Sequence, residues 1–152
     1  MAFAGHETNG SFGALTATYT TLPPNLFAGM VRRNKDNTYV LMQAGAAILV
    51  NEAVQIDTAV TTCLKVKKTA AVTDHVFGTA ETAIASGDYG WITRHGKAST
   101  LVANGVAAND PLAAGASGTL AKPANTDVAP MRSQAIEANS SGGTLAKIVA
   151  LL

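Results

Sequence analysis

Three histidines, a single cysteine and ten acidic residues are the side chains of this 152-residue chain best able to do chemistry. A hydrolase would need a serine or cysteine beside a histidine that a carboxylate orients. Ser86, Ser99, His95 and Asp88 supply those types, but no Gly-x-Ser-x-Gly elbow frames either serine. A chain of this length offers such a triple by chance. Asp74 and His75 are adjacent, so on a strand they face opposite ways and on a turn they make a local hydrogen-bonded pair. His6, His75 and His95 are widely separated, without a His-x-x-x-His spacing or an accompanying carboxylate cluster, which argues against a metal centre. Asn34-Lys35-Asp36-Asn37 sets a lysine among its oxygen ligands, which a calcium loop would not. Neither Gly-x-Gly-x-x-Gly nor Gly-x-x-x-x-Gly-Lys-Ser/Thr occurs, so a phosphate cradle is unsupported. Cys63 stands alone and is expected to pack as a small apolar residue. The expectation is a protein that is not an enzyme, with no catalytic residue, no cofactor and no metal.

Composition points the same way. Hydrophobic residues make up 47% of the chain but aromatic ones only 5%, so the core is built of small aliphatic side chains. Charged residues are 14%, against roughly 25% in an average soluble domain. So sparsely charged a surface suits a chain partly covered by partners. The net charge of +1, with short basic runs at Arg32-Arg33-Asn34-Lys35 and Lys65-Val66-Lys67-Lys68, gives no continuous basic face for nucleic acid. No apolar run approaches a membrane span, the longest being Ala44 to Val50. The N-terminus lacks the pattern of a signal peptide, and the chain is expected to be made in, and kept in, a reducing cytosol until assembly.

The pattern of the chain predicts an all-β fold: residues 1–38 as an extended N-terminal arm, and residues 39–152 as one compact β body. The arm is rich in Gly, Thr, Ala and Asn, and Pro23-Pro24 is expected to hold an extended path. Its sparse apolar residues would lie on the body or on a neighbouring chain. From Thr38 onward short extended runs alternate with turn signals. In Thr62 to Lys68, Leu64 and Val66 face one way while Cys63, Lys65 and Lys67 face the other. Gly90 to Arg94 and Lys97 to Ala103 read as two further strands, the second running into an Asn104-Gly105 hairpin turn. Leu145 to Leu152 is apolar on both faces apart from Lys147, as in a strand buried in a sandwich or barrel core. Thr79 to Ser86 is expected to form one short helix of about two turns, stopped by Gly87. No internal repeat is visible at solenoid or propeller spacing. Trp91, beside Tyr89 and Ile92, suits either core packing or an anchor at a subunit interface.

Residues 76–92 run Val-Phe-Gly-Thr-Ala-Glu-Thr-Ala-Ile-Ala-Ser-Gly-Asp-Tyr-Gly-Trp-Ile. This segment resembles the capsid decoration, or cement, proteins of tailed bacteriophages, in which a Phe-Gly-x-Ala strand end and an Ala-rich turn precede Gly-Asp/Glu-Tyr-Gly-Trp-Val/Ile. The resemblance extends over about residues 75–152: Gly96-Lys97-Ala98, then Val106 to Leu112, then Gly118-Thr119-Leu120, then Gln134 to Ala138 before a final apolar strand. Asn109 stands where glycine is commoner, a mild departure because Asn tolerates left-handed backbone. The resemblance implies a jelly-roll-like or tulip-like β-sandwich or barrel that assembles as a homotrimer on the outer capsid surface of the virion. There it would bind the major capsid protein and bridge neighbouring subunits, with trimer valency raising avidity. Under that reading the capsid or subunit interface is expected to use Phe3, Phe12, Leu22, Pro23, Pro24, Leu26, Phe27, Trp91 and Arg94. The alternative is a host- or glycan-binding β module on a virion surface, which would want an exposed aromatic platform. A small β-rich enzyme and another structural virion protein, such as a head-tail or tail-tube component, stand behind these.

Overall fold

The computed structural model describes residues 14–59, 61, 64–124 and 133–152. Among them run eleven strands: β1 (Thr18–Tyr19), β2 (Val31–Arg33), β3 (Thr38–Ala44), β4 (Ala53–Ile56), β5 (Lys65–Lys68), β6 (Gly78–Ala80), β7 (Tyr89–Val102), β8 (Pro111–Ala114), β9 (Leu120–Ala121), β10 (Ser133–Ala135) and β11 (Leu145–Leu151). The fold is all-β, as the alternation of short apolar runs and turns predicts.

The strands close into two rings. In the first, β3 pairs β5 in parallel, β5 pairs β4, β4 pairs β6, β6 pairs β7, and β7 returns to β3. In the second, β7 pairs β9 in parallel, β9 pairs β8, β8 pairs β10, β10 pairs β11, and β11 returns to β7. The two circuits are the same circuit used twice, with β7 as the last strand of one and the first of the next. Register repeats as well. Val40 opposite Ile92 corresponds to Ala98 opposite Val149, and Gln55 opposite Lys67 corresponds to Ala113 opposite Ala121. Each ring closes over its own core. Val40, Met42, Ala44, Ile48, Val54, Val66, Ala80 and Ile92 fill the first; Ala98, Val102, Val106, Leu112, Leu120, Ala135 and Val149 fill the second at matching positions.

The repeated element is a turn with its own chemistry. Asn51 and Asn109 both take left-handed backbone, at φ 66 and 69. The following acid reaches back in each: Leu49 N–H donates to Glu52 Oε2 at 2.7 Å and Ala107 N–H to Asp110 Oδ2 at 2.9 Å. Asn51 N–H donates to Ala80 O and Asn109 N–H to Ala135 O, at 3.0 and 2.8 Å. The departure from glycine at position 109 is therefore accommodated by a residue type that adopts this conformation readily. This internal duplication went unseen in the sequence, where a search at solenoid or propeller spacing is too short for it.

β7 is one strand of 14 residues where the sequence suggests two. Gly96 sits at the handover between rings, at φ +102, and a Cβ there would lie 2.1 Å from Asn37 Oδ1 and 2.4 Å from Asp36 O. Asn37 uses that approach to continue the ladder with its side chain, accepting from Lys97 N–H and donating to Lys97 O, each at 2.9 Å.

Four other expectations are corrected. Thr79 to Ser86 forms no helix. Ala80 N–H donates to Glu52 O, and Ile84 exchanges both bonds with Ile48, so cross-sheet partners outcompete two turns of isolated helix. Pro23-Pro24 does not hold an extended path. Leu26 N–H closes a turn onto Pro23 O at 2.9 Å, with Pro24 at the position whose φ proline presets. Asn104-Gly105 turns, with Gly105 at φ +85, but it does not join paired strands, since β7 pairs β11 and β9 rather than β8. β11 is buried at Val149 and Leu151 only; its start is exposed, Leu145 being 40% accessible, because one face of a closed ring points outward.

Candidate protein-binding surface

The residues with catalytic potential are not brought together. His95 is exposed on β7, and no hydrogen bond joins it to Ser86, Ser99 or Asp88 among the described residues. Ser86 Oγ instead donates to Gly45 O at 3.4 Å. Asp74 does not pair with His75. Its Oδ2 accepts from Ala70 N–H, Ala71 N–H and Gln55 Nε2 at 2.6, 2.9 and 2.7 Å, which caps the turn after β5. Burial raises the Asp74 pKa, but those hydrogen bonds and nearby Lys67 outweigh it and hold the carboxyl below its ordinary value. Among the described residues, no three of His, Cys, Asp and Glu cluster as a metal site would require. His6 and Cys63 lie outside the described residues.

The expected interface residues separate into an inward and an outward set. Trp91 is fully buried opposite Leu41, under Leu26 and Tyr39, with Leu15, Tyr19, Leu22 and Met30 packed around it. It is core, not a surface anchor. Residues 14–33 supply that cover from the same chain, β1 pairing β7 at Thr18–Gly90 and β2 pairing β3. Leu26 and the half-buried Leu22 and Pro23 are thus turned toward their own sheet rather than offered to a neighbour. Pro24 and Phe27 face out, Phe27 at 62% accessibility. Phe3 and Phe12 lie outside the described residues.

Two exposed apolar surfaces stand out, of which sequence reasoning had named only Phe27. Phe27, Val31 on β2 and Leu64 are each exposed, with the Leu64 side chain lying against Gly29. Leu49 and Val50 project from the repeated turn of the first ring, at 61% and 48% accessibility. Val31, Leu49, Val50 and Leu64 are not marked as contact residues by the sequence pattern, where apolar type alone does not tell an outward side chain from a core one. Arg94, the remaining predicted residue, stacks over the Phe77 ring at 4.7 Å on the wall of a cleft of about 350 Å³ between the rings.

Among solved structures, the chain is similar to the N base of the head fiber protein gp8.5 of bacteriophage phi29. The TM-score is 0.55 and the identity 13%, with 75% of this chain and 96% of that one covered. At that identity the likeness is one of fold. No family model matches the chain, and no curated protein gives a significant match.

Proposed function

We propose that the chain is a structural protein of a bacteriophage head, and more narrowly a decoration protein that binds the outer capsid surface and reinforces contacts between major capsid protein subunits. The observation that carries this is the fold shared with a phage head fiber base over nearly all of that base. The sequence resemblance of residues 75–152 to decoration proteins supports it independently. So does the surface: large apolar side chains are exposed at Phe27, Val31, Leu49 and Val50 in a chain with few charges, as contact residues would be. Assembly as a homotrimer belongs to the same reading and would multiply weak contacts per subunit.

The glycan-binding alternative has less behind it. Of the described aromatic residues, Tyr39 and Trp91 are buried, Tyr19 and Tyr89 pack against the same core, and Phe77 lies under Arg94, which leaves Phe27 outermost. A single exposed ring is not a stacking platform.

The test is to mix the purified protein with undecorated, expanded heads and score co-sedimentation and head survival on heating or chelation. Binding with a trimeric mass by light scattering is expected. Failure to bind heads, together with a monomeric mass, would sink the reading.

A further inference from the structure

We infer that the cleft between the two rings is a docking site for an acidic side chain, with an apolar neighbour, on a protein partner. The inference rests on the reading above that the chain binds other proteins and gives that binding a recognition chemistry.

Two of the polar groups of the cleft, Asp74 and Gln55, are already committed. Asp74 Oδ2 is committed to Gln55 and to two backbone amides. Lys67, which sits near it, is paired with Asp57 at 3.3 Å. Arg94 is different. It is exposed, stacks on Phe77, and has no acidic partner among the described residues. A guanidinium held flat on a ring is pre-organised, and its in-plane N–H donors match a carboxylate. Ile56, Val76, Phe77, Leu151 and Leu152 form the apolar half of the lining, with Thr58, Thr73 and His75 among the polar remainder. An unpaired cation beside this apolar half, with the Asp74 carboxylate already engaged by its own donors, complements a carboxylate carried next to a hydrophobic group.

The duplication supplies an internal control. In the register of the two rings, Thr93 opposite Thr79 corresponds to Ala150 opposite Gln134, so the next residue, Arg94, corresponds to Leu151. The second ring places a buried leucine there. The ring architecture therefore does not demand an exposed arginine at this position. A free small anion would use the guanidinium but leave the apolar lining untouched, whereas a protein segment would cover both.

The probes are the capped dipeptide acetyl-Leu-Asp-amide, its uncharged counterpart acetyl-Leu-Asn-amide, and acetate. Each is titrated to millimolar concentration into the isotope-labelled full chain and followed by NMR. The aspartyl peptide is expected to shift the amides of Phe77, Arg94 and Leu151 and the Arg94 Nε–H. The asparaginyl peptide should bind about tenfold more weakly, the difference a charge-assisted hydrogen bond makes. This comparison is made on the unaltered chain and depends on no variant folding. Arg94→Gln should erase the difference between the peptides, and Arg94→Lys should reduce it by removing the stacked fork. Equal binding of the two peptides, no shifts in the cleft, or acetate binding as well as the peptide would each overturn the inference. A chain that takes the aspartyl peptide but ignores heads would refute the head reading and leave the cleft standing. Head binding that persists while the cleft ignores the peptide would do the reverse.

Discussion

At the scale of single residues, the duplication turns one half of the molecule into a reference for the other. The turn that carries Leu49 and Val50 in the first ring carries Ala107 and Ala108 in the second, with the same left-handed Asn and the same acid reaching back. The backbone of this turn thus forms without large side chains. Leu49→Ala and Val50→Ala are expected to change stability by no more than about 0.5 kcal/mol in urea denaturation. If the surface reading is right, the pair should weaken head binding while the melting curve stays put. A destabilisation of several-fold that size would show that these residues serve the fold. Gly96 gives the opposite case. Gly96→Ala meets Asn37 and Asp36 at impossible distances as well as a positive φ, and is expected to cost more than about 2 kcal/mol. Gly105→Ala shares the positive φ but has open space around it, so about 1 kcal/mol is expected. Similar losses for the two would mean that backbone strain, not the approach of Asn37, is the constraint at position 96.

At the scale of elements, the segment before β3 behaves as a lid on Trp91. Leu26→Ala is expected to cost about 2–4 kcal/mol, as for a buried leucine, whereas Pro24→Ala, exposed in the same turn, should cost little. Equal small effects would mean that the segment detaches freely. The acid-capped turns make the fold sensitive to low pH in a definite direction. Asp110 is held below its ordinary value by the Ala107 amide and then by Lys122, and Asp74 by the groups described above. A lowered folded pKa means the unfolded chain takes up protons more readily. The stabilisation from both groups is thus complete above the ordinary value of 3.8 and is lost as pH falls through the lowered folded values. Melting temperature should drop on acidification through that range, and Asp110→Asn should flatten the dependence. An unchanged slope in that variant would remove Asp110 from the account. Part of this level was legible in the sequence: Val66 inward between Lys65 and Lys67, the turn at Gly105 and the short extended runs after Thr38 follow from local pattern. The helix at Thr79–Ser86 was misread because Ala80 and Ile84 share a spacing of four, which suits a helix face. Their partners, Glu52 and Ile48, come from a distant turn that local pattern does not contain.

At the scale of the whole molecule, the body is one ring plan executed twice, and the sequence hides this for physical reasons. The ring plan survives changes of residue type at matching positions: Met42 answers to Thr100, whose hydroxyl bonds Thr79, and Ile84 to Asn139, whose amide donates to Val102 O. What persists is the short signature Ile48-x-x-Asn51-Glu52-x-Val54 against Val106-x-x-Asn109-Asp110-x-Leu112, too brief to notice without the pairings. The outward face was still less readable, since an exposed Leu49 and a buried Leu41 look alike in the chain. Because β7 belongs to both rings, neither can open without fraying the other. They are further tied by the buried Thr79–Thr100 hydroxyl bond at 2.8 Å and by Leu101 N–H to Asn51 O at 2.8 Å. Unfolding should therefore be a single transition, with Trp91 fluorescence in the first ring and amide exchange at Val149 in the second giving the same free energy. Two resolved midpoints would refute the coupling. The shared strand also sets how the molecule would answer a pull. Tension applied across the two rings would run along β7, through covalent backbone, while its ladders to β3 and β11 would be loaded in shear, many hydrogen bonds at once. Separating two independent modules would only unzip an interface; stretching this one would require tearing a strand out lengthwise.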